Sequence, residues 1–276
     1  MKKILFPTDF SEVANNAFVH ALEWANKVKG ELVLLHTFEF PIVENQYFPG
    51  NYQVLFDSIE LANFDMFKEE IPKLRAIAET RNLDHIKLSH RLMNGDLIEN
   101  IKTTIKEDAI DLVVMGTSGA TGWKEVFLGT NTGEVLTTLT VPVLSIPEGV
   151  PFEKIATMAF TTRFREKDKI AIQEVLSIAK KMKATVKCLH VKNNDSDVSE
   201  ATVDDWRKEF KAEPIQFFVI PDEDVATTIS DFIDNEGIDV LVMTLHKSNF
   251  FMELFTTHFA EKMSYNSSTP ILVLHE

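Results

Sequence analysis

Two stretches of this chain spell nearly the same buried strand, Ala109-Ile110-Asp111-Leu112-Val113-Val114-Met115 and Gly237-Ile238-Asp239-Val240-Leu241-Val242-Met243. Other pairs accompany them. Lys154-Ile155-Ala156-Thr157-Met158 matches Lys3-Ile4-Leu5-Phe6-Pro7, and Cys188-Leu189-His190-Val191 matches Leu34-Leu35-His36-Thr37. Near the end, Ser268-Thr269-Pro270-Ile271-Leu272-Val273-Leu274 matches Thr140-Val141-Pro142-Val143-Leu144-Ser145-Ile146. Four matched runs in the same order mean that one structural unit occurs twice, which limits the folds open to the chain more than any single motif does. A length of 276 residues suits two domains of about 140 residues, each large enough for its own core. The repeat predicts domains over 1–147 and 152–276, joined by the stiff linker Pro147-Glu148-Gly149-Val150-Pro151.

Within the first copy, Val13, Ala14, Ala17, Phe18, Ala21, Leu22, Ala25 and Val28 follow three- and four-residue spacing, the stripe of an amphipathic helix. Ser11 can cap this helix and Gly30 can end it. The flanking runs Lys3 to Phe6 and Leu32 to His36 are continuously apolar, as parallel strands covered on both faces are. Residues Thr37 to about Asn63 read as a long irregular insert rich in aromatics, among them Phe38, Phe40, Tyr47, Phe48, Tyr52 and Phe56, suited to a lid or an interface. A helix using Leu61, Phe64, Phe67, Ile71, Leu74 and Ile77 follows, with Pro72 inside it. Further strands at Ile86 to Leu92, Asp111 to Met115 and Val141 to Ile146 alternate with helices at Leu97 to Lys106 and Asn131 to Leu139. The class is α/β, with twin five-stranded parallel sheets carrying helices on both faces.

The strand Leu112 to Met115 runs into Gly116-Thr117-Ser118-Gly119, and nine residues later comes Gly129-Thr130. Glycines at the carboxyl end of a strand let backbone N–H groups approach an anion, and Gly129-Thr130 would open the next helix, whose N-terminus also favours negative charge. At the end of the first strand stands Pro7-Thr8-Asp9-Phe10-Ser11-Glu12. Asp9 there is either a ligand-facing carboxylate or a helix-start residue beside Ser11.

The glycine spacing together with Asp9 resembles the universal stress protein family, whose nucleotide-binding members carry Gly, two residues, Gly, nine residues, Gly and then Ser or Thr. The resemblance covers nearly the whole chain, more weakly in the second half. It implies two tandem Rossmann-like domains of the adenine nucleotide alpha hydrolase kind and an adenine nucleotide, ATP or a relative, in the first. Carried over to this sequence, Asp9 with Pro7 and Thr8 would line the ribose and adenine side, and Thr37 would border the base through its backbone. Met115 and Gly116 would flank the nucleotide. Ser118, Gly119, Gly129, Thr130, Asn131 and Thr132 would hold the phosphates, although Asn131 departs from the small hydroxyl residue often found there. Lys124 is the only basic residue in the loop, so Mg²⁺ carried by the phosphates would neutralise most of their charge. The resemblance also implies pairing of fifth strands, here Val143 to Ile146 with Ile271 to Leu274 inside one chain as a pseudo-dimer. Whether two chains form a homodimer, and which protein partner responds, stays open.

In the second copy every motif glycine is replaced: Thr244 stands at Gly116, Lys247 at Gly119, Thr257 at Gly129 and His258 at Thr130. Matching Lys154 to Lys3 sets Phe160 opposite Asp9, and its bulky ring would fill part of the second crevice, which is then closed or altered. That half would then survive as a built-in dimerisation partner, or Lys247, His246 and His258 would make a different anion site.

Formal net charge is −14, and a division after Glu148 leaves 13 basic and 21 acidic residues before it and 15 and 21 after. No Lys/Arg cluster is dense enough to follow a phosphate backbone, which argues against nucleic acid and anionic membrane as partners. Cys188 is the only cysteine, so no internal disulfide and no cysteine-rich zinc site can form. The N-terminal apolar run is interrupted by Pro7, Asp9 and Glu12, unlike a signal peptide, and a cytoplasmic protein is expected. No P-loop, no dinucleotide glycine fingerprint after the first strand and no general base beside Ser118 are visible in the sequence. The eight histidines are scattered, with His36 and His190 at matching strand ends, suited to packing or hydrogen bonding rather than to metal ligation. The expected role is that of a stress-response nucleotide sensor or adaptor. A slow ATP hydrolase completed by a partner and an adaptor that binds no nucleotide are the alternatives.

Overall fold

The computed structural model describes residues 2–41, 52–117, 130–245 and 269–275. The chain divides into two compact units, Met1–Met115 and Gly116–Glu276.

The first unit begins with β1 (Lys3–Pro7), whose last four residues are all buried. Successive strand side chains point to opposite faces, so burial of consecutive residues requires both faces of β1 to be covered. Helix α1 (Glu12–Val28) starts where Ser11 Oγ accepts the Ala14 N–H at 3.1 Å. It ends at Lys29 in the left-handed conformation (φ 55°), whose N–H returns to Ala25 and Asn26. Gly30, the expected helix terminator, serves a different purpose. Its φ is not positive, and a Cβ there would meet Lys2 O at 2.8 Å, so glycine lets the backbone pass close to β1. Strand β2 (Glu31–Phe38) follows in parallel register with β1, Lys3 beside Glu31 and Pro7 beside Leu35.

Helix α2 (Tyr52–Thr80) starts well inside the stretch read as irregular and runs through Pro72. Phe67, Ile71 and Leu74 are buried as expected, but Leu61 and Phe64 are exposed, at 60% and 54%, so the apolar stripe of α2 lies against the core only in its carboxyl-terminal part. Strand β3 (Leu88–Asn94), helix α3 (Leu97–Asp108) and strand β4 (Leu112–Gly116) complete this part. The strand order is β3-β2-β1-β4, all parallel. Asp111 Oδ2 accepts the N–H groups of Lys2 and Lys3 at 2.6 and 3.0 Å and so fixes the start of β1 against the start of β4.

The second unit contains α4 (Thr130–Thr138), β5 (Val143–Ile146), β6 (Thr157–Thr161), α5 (Glu166–Met182), β7 (Thr185–Lys192), α6 (Glu200–Glu209), β8 (Ile215–Pro221), α7 (Val225–Glu236), β9 (Val240–Leu245) and β10 (Ile271–His275). Its strand order is β5-β10-β9-β6-β7-β8. All neighbours are parallel except β5 and β10, which pair antiparallel with Leu144 opposite Leu272. Pro142 and Pro270 precede these two strands, where the missing N–H costs no ladder bond. Asp239 Oδ2 holds the Ala156 and Thr157 N–H groups at 2.7 and 2.8 Å, repeating what Asp111 does in the first unit.

Candidate functional site

In a parallel α/β sheet, ligands bind beyond the carboxyl ends of the strands, where the strand order reverses. In the first unit the chain passes from β1 outward to β2 and β3, and β4 then returns to the other side of β1. The reversal falls between β1 and β4, and their carboxyl ends carry Pro7-Thr8-Asp9 and Met115-Gly116.

The turn leaving β1 is built by short bonds. Thr8 N–H donates to Leu35 O at 2.9 Å, and the Thr8 hydroxyl oxygen accepts the Phe10 N–H at 3.0 Å. Phe10 sits at φ 60°, a left-handed conformation costly for a residue with a Cβ. Asp9 is exposed, and its Oδ1 accepts the Ser11 N–H at 3.0 Å. Asp9 therefore does organise the start of α1. A carboxylate has about four acceptor positions, so holding this turn and accepting hydroxyl groups of a ligand are compatible.

His36 Nδ1 lies 2.7 Å from Thr8 O. A carbonyl only accepts, so the proton sits on Nδ1. The imidazole lies tilted at 4.9 Å from the Phe10 ring, and Phe67 of α2 lies 5.9 Å from Phe10 and 5.7 Å from His90. This cluster gives the loop after β1 an apolar backing. Thr37, half-buried, follows His36 in β2 and pairs with Met93 of β3. In the second unit Thr117 is buried and its N–H donates to Ile146 O at 3.0 Å. Thr130, Asn131 and Thr132 form the first turn of α4. Ser118, Gly119, Lys124 and Gly129 lie outside the described residues, as do His246, Lys247, Thr257, His258 and the part of the aromatic insert around Tyr47 and Phe48.

The second unit repeats the threonine, phenylalanine and histidine bonds of the turn after β1. Thr162 N–H donates to Leu189 O at 2.9 Å, Thr162 Oγ1 accepts the Phe164 N–H at 2.9 Å, Phe164 has φ 55°, and His190 Nδ1 donates to Thr162 O at 2.8 Å. Thr162 thus answers Thr8, Phe164 answers Phe10 and His190 answers His36. Arg163, not Phe160, stands in the place of Asp9. Phe160 is wholly buried inside β6 and closes nothing. Of the two expectations, closed or altered, the described residues fit the second: a cavity of about 200 Å³ lies at the carboxyl ends of β6, β7 and β9, bordered by Thr162, Arg163, His190, Ser196, Met243 and Thr244. The pattern Thr-x-Phe, repeated at Thr8 and Thr162 with a histidine following at the same spacing, is the sequence signal that sets this register.

His190 is also bonded through Nε2, which accepts the Ser196 hydroxyl at 2.8 Å. Burial pushes its pKa down, the Thr162 carbonyl works against that shift, and the nearby Arg163 charge adds to it. The neutral ring is the form that both hydrogen bonds require. Among the described residues no three His, Cys, Asp or Glu side chains gather to hold a metal, and no helix is long and apolar enough to cross a membrane.

Residues 1–147 match the family model described as the universal stress protein family. A universal stress protein of Methanocaldococcus jannaschii is 28% identical over 156 residues, spanning 52% of this chain and 94% of that protein. One from Bacillus subtilis is 26% identical over 144 residues, spanning 52% of this chain and 97% of that protein. The crystal structure of a universal stress protein from Archaeoglobus fulgidus covers 99% of this chain and 96% of its own, with a TM-score of 0.73 at 17% identity. A Pseudomonas aeruginosa structure described as a putative universal stress protein covers 100% of this chain and 93% of its own, with a TM-score of 0.64 at 15% identity. At these identities the solved structures share the fold.

Proposed function

Since the chain belongs to the universal stress protein family, we propose that its first half binds ATP or a related adenine nucleotide and that occupancy sets a surface read by a protein partner. The observation that carries this reading is the strand-order reversal between β1 and β4, with Thr8 and Asp9 ending one strand and Met115 and Gly116 the other. Pro7, Thr8 and Asp9 would take the ribose and adenine side and Thr37 the base. Met115 and Gly116 would flank the nucleotide. Ser118, Gly119, Gly129, Thr130, Asn131 and Thr132 would take the phosphates through backbone N–H groups and the α4 N-terminus. Lys124 is the only basic residue in the loop sequence, so Mg²⁺ would arrive on the phosphates. A cytoplasmic location and domains over 1–147 and 152–276 belong to the same reading. The antiparallel pairing of β5 with β10 supports internal pairing of the two copies through their fifth strands.

Calorimetric titration of nucleotide-stripped protein with Mg-ATP tests the reading. One site per chain is expected, weakened at least tenfold by Asp9→Ala and abolished by Gly119→Val. Linkage then requires that a partner recognising the occupied form raise nucleotide affinity by the same factor that nucleotide raises partner affinity. Absence of any heat of binding, with the protein folded, would sink it.

A further inference from the structure

We propose that the crevice at the carboxyl ends of β6, β7 and β9 is a second binding site, for a small organic anion with an apolar body such as an aryl carboxylate or aryl phosphate, anchored by Arg163. This site is independent of the nucleotide reading, since it involves no residue of the first copy.

The exchange of Asp9 for Arg163 at one conserved backbone geometry reverses the chemistry of recognition. A carboxylate only accepts hydrogen bonds and suits ligand hydroxyl groups, whereas a guanidinium only donates and suits anionic oxygens, often two at once. Arg163 is half-buried, where a guanidinium is worth more than on an open surface. Arg165, at the N-cap of α5, also borders the cavity, as does Val225, the first residue of α7. Asp195 and Asp197 border it as well, but both are exposed. Arg163 is the most shielded charged side chain bordering the cavity, and it decides the sign of the ligand.

Size and shape narrow the class. The cavity measures about 200 Å³. That lies below the roughly 300–1,000 Å³ of sites for drug-sized ligands and suits a single ring with one acidic group. Val191, Val225, Ile229 and Met243 supply the apolar wall for that ring. The polar wall is fixed before any ligand arrives. His190 is locked between Thr162 O and the Ser196 hydroxyl, and Asp168 Oδ2 accepts the Arg163 and Arg165 N–H groups at 3.0 and 3.2 Å, which sets the backbone of both arginines. A prepared site loses less on binding than one that must be ordered first.

The test is ¹⁹F NMR on the full chain with three probes of similar shape: 4-fluorobenzoate, 4-fluorophenyl phosphate and the neutral 4-fluorobenzyl alcohol. At least one anion is expected to broaden on adding protein at millimolar probe concentration, with the alcohol at least tenfold weaker. Carboxylate binding alone or phosphate binding alone identifies which acid the site takes, and each supports it. Arg163→Ala should weaken the anion at least tenfold and Arg163→Lys less, while Asp9→Ala leaves it unchanged. Thermal unfolding shows that each variant is folded, and Arg163→Gln replaces the alanine variant should that one unfold. No binding of either anion to the wild type, equal binding of the alcohol, or indifference to loss of Arg163 overturns the site.

Discussion

The carboxylate of Asp168 accepts the hydroxyl of Thr162 at 2.8 Å, and the same oxygen takes the N–H groups of Arg163 and Arg165. In the first unit Ser11 caps α1 from the N-cap position. Arg165 at the matching position of α5 has no acceptor, and the acid three residues on reaches back instead. Asp168 is 1% exposed. Replacing it with alanine strands a buried hydroxyl and two N–H groups, so Asp168→Ala should cost about 2–4 kcal/mol in urea unfolding. A loss under about 0.5 kcal/mol, the scale of a neutral surface change, would show that the loop finds other partners.

Helices α3 and α7 end on matching left-handed residues, Ala109 at φ 53° and Gly237 at φ 58°. Nothing lies within 4 Å of a Cβ built on Gly237, so only its backbone conformation opposes a side chain there. Exchange should therefore be symmetric: Ala109→Gly stabilises and Gly237→Ala destabilises, each by about 1 kcal/mol. Gly30→Ala is different, because its Cβ would press on the Lys2 carbonyl at 2.8 Å. Steric overpacking of that kind costs about 1–3 kcal/mol. Denaturation midpoints of the three variants check the ordering.

Stability should depend on pH through two imidazoles. His190 and His275 both have pKa values pushed below the ordinary 6.5 by burial, and His275 Nε2 is bonded to Leu136 O at 2.7 Å. A base whose folded pKa is depressed takes up its proton more readily in the unfolded chain. The stabilising contribution is therefore complete above pH 6.5 and declines as pH falls below it, toward the folded values. Urea midpoints between pH 8 and 5 should drop on the acid side of 6.5, and His190→Gln should flatten part of that slope. An unchanged slope in the variant would assign the effect elsewhere.

Cys188 is wholly buried in β7, and burial, with the Asp168 charge adding to it, raises its pKa well above 9.0. The thiolate is the reactive form, so a disulfide reagent should leave the folded protein untouched at pH 8 and titrate one thiol in denaturant. Reaction at the free-thiol rate in native buffer would mean that the core opens there.

The strands were legible because continuous apolar runs such as Leu112 to Met115 have one use in a chain with intervening helices. Ser11 as a cap was legible for the same local reason. The register of the second copy was not. Lys154-Ile155 imitates Lys3-Ile4 in residue type, yet β6 starts only at Thr157, and what sets the correspondence is the hydrogen bonding of Thr162 with His190 and Phe164. Apolar matching cannot see those bonds, and it hid Arg163 behind Phe160. The start of α2 was lost among aromatic residues between Pro41 and Asn63, since half of its stripe is exposed and gives no core signal. Ser118, Gly119 and Gly129, singled out by spacing, fall outside the described residues, and calorimetry with Gly119→Val is their test.

The antiparallel ladder between β5 and β10 also has a temporal side. Ile271 follows its partner Ser145 by 126 residues. At a synthesis rate of about 5–20 residues per second, β5 would wait on the ribosome for roughly 6–25 s before that partner exists. A strand with open ladder groups can recruit whatever edge is near during that interval. Slow translation of the second half, or loss of its last strand, should therefore show itself first as aggregation of nascent chains, ahead of any change in the finished protein.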